Sequence, residues 1–292
     1  MSLGQFGAAF AARHLMPRSW PRGELVVLGG YIDGSNLHAG APVVVVGGCA
    51  ANTDAWLRWE VEWQHLLTFC KVEKWHHTEF VNRIGRYIHM NHAEWLVARR
   101  MLCDSFASLK PICFGTTVWR EEYDALRGEH PSIPEDPYFF LLDRCLHRLI
   151  QGLFENPNDE GILVYCDRDK NKDLVLNLAR WHEAFLRSDP HARPGDKIRK
   201  VVTSYGSGLE FMPLQAADVV AHELMQYARK NRGIPVVATN LPSGSWILDR
   251  LKSAFPWLVM NYRKDFLKME LDGRAFVPGH WPGYHFVPAA RL

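Results

Sequence analysis

The chain has 292 residues, of which 47% are hydrophobic, so it can bury a sizeable core as one large domain or as a domain with an appended tail. Its formal charge of +2 is too small to indicate nucleic-acid or membrane binding by the surface as a whole, so any basic footprint must be local. The longest apolar run, around residues 41–51, is shorter than the roughly 20 residues that a membrane span needs, which excludes a transmembrane helix.

The N-terminal residues 1–23 contain three arginines and no acid, a faint similarity to a transit peptide, but they have no proper hydrophobic h-region or cleavage site of a secretion signal. We expect them to form a loosely held arm. The six cysteines of the chain are scattered, and no two form a C-x-x-C pair. This pattern favours buried free thiols in a reducing cytoplasm.

Two strands open the predicted fold. Residues 24–33 and 41–50 are apolar, rich in branched side chains and joined by a Gly/Asn/Ser loop, which predicts a hairpin. A helix follows over 52–70, in which Trp56, Trp59 and Trp63 recur at helical spacing. The stripe favours a core-facing side of the helix over an aromatic face that binds a partner.

Strands and helices then alternate. The pattern predicts helices over 92–109, 136–154, 173–187 and 214–230, and strands over 110–119, 161–167 and 197–205. Such alternation indicates an α/β layer fold with a central sheet flanked by helices, which we assign to residues 24–230. Residues 231–292 are rich in Pro, Gly and aromatics, and since no polar linker precedes them we expect a C-terminal extension packed on the same domain.

Three aspartates follow apolar segments of this predicted fold. Asp33 and Asp167 each end a predicted strand, and Asp218 lies in the last long helix. Ligands of open α/β sheets bind beyond the carboxyl ends of the strands, and clustered carboxylates there suit Mg²⁺ or Mn²⁺. We therefore expect the three acids to converge at one edge. Asp33 could instead belong to an Asp-Gly turn, and Asp167 could cap the next helix.

The helix that carries Asp218 is otherwise largely apolar. Gln215, Asp218 and His222 follow one another at steps of three and four, which places them on one polar stripe. A buried carboxylate is costly unless it is paired, and the partner could be a metal ion, an arginine or backbone donors. Neither a turn nor a helix cap explains an acid at this position.

Four short motifs, "YIDGSN", "WHHTEF", "VYCDRD" and "PLQAADVVAHE", occur in this order over roughly residues 25–230. Together they resemble the prokaryotic and phage family known as domain of unknown function 3800, which is assigned to the ribonuclease H-like fold. The resemblance implies an acid set of Asp33, Glu79, Asp167 and Asp218. It also implies that these residues hold Mg²⁺ or Mn²⁺ and hydrolyse phosphodiester bonds of DNA or RNA.

The chain departs from the family pattern at two places. Gly34 follows Asp33 where the family usually has a glutamate, so an accessory acid is missing. Glu79 stands where the family often has an aspartate, and Glu73 is a rival for the same role. The missing acid favours the alternative of a catalytically silent binding or scaffold module that keeps the fold.

Other chemistries lack their motifs. The segments beginning at His222 and His182 have Gln226 and Leu186 where a zinc-protease helix needs its second histidine. No P-loop, dinucleotide-binding or serine-hydrolase motif is present, and the same absence of phosphate-binding glycine loops argues against a phosphotransferase with the related actin-like fold.

Residues that could contact substrate lie near the predicted acids. We expect this role for His77, Gln215, His222, Lys230 and Arg232. Lys230 and Arg232 belong to a basic cluster at the end of the last helix, and a second basic cluster occupies residues 193–200. For both basic clusters, an ordinary solvated surface is the competing interpretation. The sequence leaves DNA versus RNA open.

Overall fold

The computed structural model describes residues 28–35, 40–130, 133, 135–142, 144–145, 162–167, 201–206, 211–231, 247, 250–251 and 257–262. For residues 162–167, 201–206 and 257–262 it describes the backbone. The predicted arm at 1–23, the predicted helix over 173–187 and the basic cluster at 193–200 lie outside these ranges.

A six-stranded mixed sheet forms the centre of the fold. Its strands are β1 (Leu28–Ser35), β2 (Val43–Asn52), β3 (Ile112–Trp119), β4 (Ile162–Asp167), β5 (Val201–Gly206) and β6 (Trp257–Tyr262), in the order β5-β4-β1-β2-β3-β6. β2 runs antiparallel to β1 and β3, while the pairs β1–β4, β4–β5 and β3–β6 are parallel. The arrangement confirms the predicted hairpin and the predicted α/β class with a central mixed sheet flanked by helices.

The central strand β2 reads as a near-continuous apolar run because both faces of the sheet are covered there. Every residue of β2 except Asn52 is buried. On one face Tyr31 and Val45 join the core beneath the helices, and on the other face the Cys145 thiol lies 3.9 Å from the Val46 carbonyl oxygen. Residues 137–142 and 144–145 are helical on this second side, within the predicted helix over 136–154.

Two long helices, α1 (Thr53–Cys70) and α3 (His92–Leu109), begin and end close to the predicted residues. The Asn52 side chain caps α1, and Asn91 and Glu94 form a reciprocal capping box at the start of α3. Trp56, Trp59 and Trp63 of α1 are all fully buried, with Trp59 and Trp63 stacked at 4.6 Å. The tryptophan stripe is therefore core, as predicted, and not a partner-binding face.

Several short elements were not predicted from the sequence. They are α2 (His77–Asn82), a 3₁₀ turn (Gly85–Tyr87), α4 (Arg120–Glu129) and strand β6. β6 lies in the C-terminal part of the chain and pairs with β3, from Trp257 opposite Cys113 to Tyr262 opposite Val118. This part of residues 231–292 is thus a strand of the central sheet.

The last long helix, α5 (Pro213–Lys230), packs across β1, β2 and β3. Its close approach depends on glycines in the sheet. A Cβ on Gly47 would meet the Cα of Ala221 at 3.0 Å, and one on Gly115 would clash with the Leu224 side chain. All residues of α5 from Pro213 to Ala228 are buried except Asp218 and Gln226, which are half-buried. The polar side chains of this helix therefore need partners inside the protein.

Five of the six cysteines have described side chains, and all five are buried free thiols, as predicted: Cys49, Cys70, Cys103, Cys113 and Cys145. Over the part of the chain that the structure describes, no helix is long and apolar enough to cross a membrane.

Candidate functional site

Asp33 and Asp167 come together through the register of two parallel strands. β1 and β4 pair from Leu28 opposite Ile162 to Ile32 opposite Cys166, and the two aspartates each follow this last pair directly. Neighbouring strands lie about 4.8 Å apart, so the two backbones are adjacent at this point. The Asp167 side chain lies outside the described part of the structure.

Asp33 lies on the face of the sheet that α5 covers. Side chains alternate along a strand, so Asp33 shares its face with Tyr31 and Ser35. Tyr31 packs edge-on against Trp56 of α1, and the Ser35 hydroxyl lies 3.6 Å from the sulfur of Met225 in α5. Across the sheet Asp33 pairs with Gly47, which contacts Ala221 of the same helix. β1 thus presents Asp33 toward the helix that carries Asp218.

The Asp33 carboxylate is half-buried, and its Oδ1 atom accepts a hydrogen bond of 2.7 Å from the backbone N–H of Gly34. Asp33 is therefore inside the sheet, two residues before the end of β1, and pairs with β2 in regular antiparallel register. The alternative of a turn aspartate does not describe this position.

The polar stripe of α5 faces one segment of chain, residues 75–78, which precedes and begins α2. Gln215 lies at the start of the stripe. Its Oε1 atom accepts hydrogen bonds from Trp63 Nε1 at 3.0 Å and from the backbone N–H of Trp75 at 2.8 Å. Both bonds are buried, so the amide of Gln215 ties α1 and the 75–78 segment to α5.

Asp218 is the next member of the stripe. Its Oδ2 atom accepts a hydrogen bond of 2.8 Å from the backbone N–H of His77. This answers one question raised by the sequence, because a backbone donor partners the carboxylate of an otherwise apolar helix. The bond engages one of the two carboxylate oxygens, and Oδ1 accepts no hydrogen bond from the described residues. Asp218 can therefore hold the 75–78 segment and still offer an oxygen to a further ligand.

His77 is buried with both ring nitrogens engaged. Trp75 Nε1 donates to His77 Nδ1 at 3.2 Å, and Nε2 of the ring lies 2.8 Å from the Glu223 carboxylate. Since an indole nitrogen only donates, Nδ1 must accept, and the proton on Nε2 is donated to Glu223. Glu223 and Asp218 of α5 thus hold His77 at its side chain and at its backbone.

His222 completes the contacts between α5 and the 75–78 segment. Its Nδ1 lies 3.0 Å from the Thr78 hydroxyl, and its Nε2 lies 3.3 Å from the Gln226 amide nitrogen. Burial lowers the pKa of His222 to about 3, and the neighbouring His77 acts in the same direction. The ring is therefore neutral at physiological pH, accepts at Nε2 from the amide and donates from Nδ1 to the hydroxyl.

Glu79 has a local partner. Its Oε2 atom accepts hydrogen bonds from the backbone N–H of Arg86 at 3.1 Å and from Arg86 Nε at 3.0 Å. Burial raises the pKa of Glu79, but the backbone and guanidinium of Arg86 outweigh it and leave that pKa below its usual value. Glu79 thus closes the turn that follows α2. Its rival Glu73 is exposed.

The donor set at this place has the chemistry of a hard-cation site, since aspartate oxygens are the ligands that Mg²⁺ and Mn²⁺ prefer. Among residues with described side chains, no group of three or more His, Cys, Asp and Glu could hold a metal ion. A cation between β1, β4 and α5 would therefore depend on Asp167 beside Asp33 and Asp218. The four-carboxylate set stays a prediction.

The residues expected to contact a substrate lie in two different environments, some buried and some at the surface. His77, Gln215 and His222 are buried and bonded within the protein, so their positions favour a structural role over direct contact with a substrate. Lys230 ends α5 on the exposed surface, and Arg232 lies outside the described residues.

Sequence reasoning did not single out Trp75, Thr78 or Glu223, although all three belong to the same network. Glu223 had one available signal. It follows His222 directly and lies eight residues after Gln215, so it borders the same stripe at helical spacing. Trp75 and Thr78 gave no periodic signal, because Trp75 precedes α2 and α2 is too short to reveal its inward-facing side, although both residues lie within the "WHHTEF" motif.

No family model matches the chain, and no curated protein is significantly similar to it in sequence. The solved structures that resemble it include a point mutant of Bst-RNase HIII, with 12% identity and a TM-score of 0.37, covering 85% of this chain and 71% of the other. They also include Bst-RNase HIII in complex with Mn²⁺, with 13% identity and a TM-score of 0.36, covering 92% of this chain and 74% of the other. Similarity this low does not bear on the chemistry of the site.

Proposed function

We propose that the protein is a divalent-metal-dependent nuclease that hydrolyses phosphodiester bonds of DNA or RNA. One observation carries the proposal: the register sets Asp33 and Asp167 on adjacent parallel strands, on the sheet that α5 covers with Asp218. The order of the four sequence motifs supports a ribonuclease H-like assignment of this arrangement.

In this proposal Asp33, Asp167 and Asp218 hold Mg²⁺ or Mn²⁺, which when bound supplies an activated water and stabilises the leaving oxygen. The chain's own part is positioning. The His77 backbone N–H fixes one oxygen of Asp218, and the buried Glu223 carboxylate fixes the His77 ring. Glu79, whose Oε2 is bonded to Arg86, would join the acid set only through its other oxygen or by releasing that pair.

A catalytically silent binding or scaffold module is the second candidate. Two of the predicted acids have structural partners: Asp218 bonds the backbone of His77, and Glu79 bonds Arg86. Gly34 also stands where an accessory acid is expected. On this alternative the carboxylates stabilise the 75–78 segment and the turn after α2, and the site binds no cation.

Cleavage assays on labelled single- and double-stranded DNA and RNA, with Mn²⁺ or with EDTA, test the proposal. Asp33→Asn and Asp218→Asn should each remove nearly all metal-dependent cleavage, because the amide keeps the shape but loses the ligand charge. The matched control is Asp104→Asn, since Asp104 is an exposed aspartate of α3.

Calorimetric titration of Mn²⁺ separates the two candidates. A nuclease should bind Mn²⁺ in the wild type and lose that binding in Asp33→Asn, with Asp104→Asn unaffected. A wild type that neither binds Mn²⁺ nor cleaves any of the four substrates would favour the scaffold. Full activity in Asp33→Asn or Asp218→Asn would contradict the roles given to these residues.

A further inference from the structure

A positively charged surface lies beside the candidate site, where the sequence analysis assigned no function. We call it the α3 basic surface and define it by Arg83, Arg99 and the Trp95 ring between them, with Arg86 on the same turn as Arg83 and the exposed Arg100 next to Arg99 on α3. Between residues 83 and 100 the chain has four arginines and one glutamate, a local net charge of +3, whereas the whole chain has +2. This stretch is therefore a locally basic segment of the chain, as the cluster at residues 193–200 also is.

Trp95 forms the centre of the surface, and its half-buried ring is fixed in place. Its Nε1 atom donates a hydrogen bond of 3.0 Å to the carbonyl oxygen of Phe80. The guanidinium carbon of Arg99 lies 4.4 Å from the ring centroid, and that of Arg83 lies at 6.0 Å. Both distances fall within cation–π range, so one indole holds two guanidinium groups near each other.

The arginines of this surface differ in how far they are compensated. Arg86 is paired with Glu79, and burial lowers the pKa of Arg99, opposed by nearby Cys103 and Glu223. Arg83 and Arg100 are exposed, and within the described residues neither forms an ion pair with a carboxylate. No carboxylate among the described residues therefore neutralises these two charges, although Arg83, like Arg86 and Arg99, also contacts the protein itself, through the Trp95 ring and the Met90 carbonyl oxygen.

Two features connect this surface with the candidate site. The turn that carries Arg83 and Arg86 follows α2, whose first residues are held by Asp218 and His222 of α5. The same turn exposes Ile84 and Ile88, whose side chains are 50% and 78% accessible. A ligand that lies along the turn would meet positive charge and apolar contacts together, and it would extend toward the candidate site.

We propose that the α3 basic surface binds the phosphodiester backbone of a nucleic acid. The planar guanidinium forks match phosphate oxygens bidentately, and the exposed isoleucines offer apolar contact to sugars and bases. This inference deepens the proposed function, since it rests on a nucleic acid as the substrate, but it does not depend on metal-dependent cleavage.

Equilibrium binding measured in EDTA tests the surface separately from catalysis. Fluorescence anisotropy with labelled single-stranded and duplex oligonucleotides, of DNA and of RNA, gives the affinity over a series of salt concentrations. If Arg83 and Arg100 each contact one phosphate, the double variant Arg83→Ala/Arg100→Ala should reduce the slope of log K against log salt by about 1.4 for single strands and about 1.8 for duplex DNA.

Matched variants separate the loss of phosphate contacts from a general effect. Arg58→Ala removes an exposed arginine of α1, outside the surface, and should leave the salt slope unchanged. Arg83→Lys/Arg100→Lys keeps both charges and should retain most of the slope. Melting curves check that Arg83→Ala, which also loses a 3.5 Å hydrogen bond to the Met90 carbonyl oxygen, still folds. If Arg83→Ala does not fold, Arg100→Glu, at an exposed position, can be used to measure the same salt dependence of binding.

The outcomes distinguish this proposal from the proposed nuclease. If the folded alanine variant keeps the wild-type slope of log K against log salt, the proposal that the α3 basic surface binds nucleic acid is wrong. The proposed nuclease activity still stands in that case if the wild type cleaves. If the slope of the alanine variant is reduced but the wild type cleaves no substrate with Mn²⁺, nucleic-acid binding by the α3 basic surface is supported and the proposed nuclease activity is wrong. A wild type that binds no oligonucleotide at low salt overturns the surface.

Discussion

Gln215 provides a sharp test of whether the polar stripe of α5 serves structure or substrate. Its Oε1 atom accepts two buried hydrogen bonds, from the indole of Trp63 and from the backbone N–H of Trp75. Gln215→Leu keeps a side chain of similar length but removes the acceptor. Both donors then remain buried without that partner, in a region where water cannot replace it.

The expected cost follows from the number of orphaned donors. Each buried donor left unsatisfied costs about 1–3 kcal/mol, so the two together cost about 2–6 kcal/mol of unfolding free energy. For a protein of this size 1 kcal/mol shifts the melting temperature by about 2–4 °C, so the midpoint should fall by at least about 4 °C. Gln215→Glu keeps an acceptor oxygen but buries a charge, so it should also destabilise the fold.

Gln226→Leu is the matched control on the same helix. Gln226 is half-buried, and its contact with the ring of His222 is longer, at 3.3 Å, so the cost should stay below about 1 kcal/mol. Thermal and urea unfolding of the wild type and the three variants, followed by circular dichroism, measure the difference. Equal stability of Gln215→Leu and Gln226→Leu would refute the reasoning. The reasoning would also fail if Gln215→Leu melted like the wild type but no longer bound nucleic acid. That result would instead support a role for Gln215 in contacting the substrate.

Three further predictions concern the same helix and its packing. In EDTA, Asp218→Ala should melt below Asp218→Asn, because only the amide retains an acceptor for the His77 N–H; the reverse order would show that this hydrogen bond does not stabilise the fold. Gly47→Ala should destabilise the fold in a urea titration, since its Cβ would lie 3.0 Å from the Ala221 Cα. Its control is Gly128→Ala in α4, where an added Cβ would have no atom within 4 Å and the substitution should be neutral or stabilising. Burial lowers the pKa of His222 in the folded state from its ordinary value of 6.5 to about 3, so the unfolded state binds more protons between these values and stability should fall as the pH is lowered from 6.5. Unfolding midpoints at pH 7 and pH 5 should therefore differ less in His222→Asn than in the wild type, and equal differences would contradict the shift.

The elements with strong periodicity were predictable from the sequence. Helices α1, α3 and α5 and strands β1 to β5 all occur where the apolar pattern predicts them, because helix and strand spacing is a property of neighbouring residues. The pattern also identified the stripe of Gln215, Asp218 and His222 and the need of that stripe for partners. α2 was too short to show a helical period, and β6 lies in a region whose Pro, Gly and aromatic content obscured it.

Tertiary structure decided which partners the stripe has. Asp218 and His77 are 141 residues apart, and Gln215 and Trp75 are 140 residues apart, so no local pattern could have paired them. The pairing arises because α5 lies close against Gly47 and Gly115 of the sheet and meets the 75–78 segment there. The same packing sets Asp33 beneath α5, whereas Glu79 takes its donors from Arg86, seven residues further along the chain in the turn after α2.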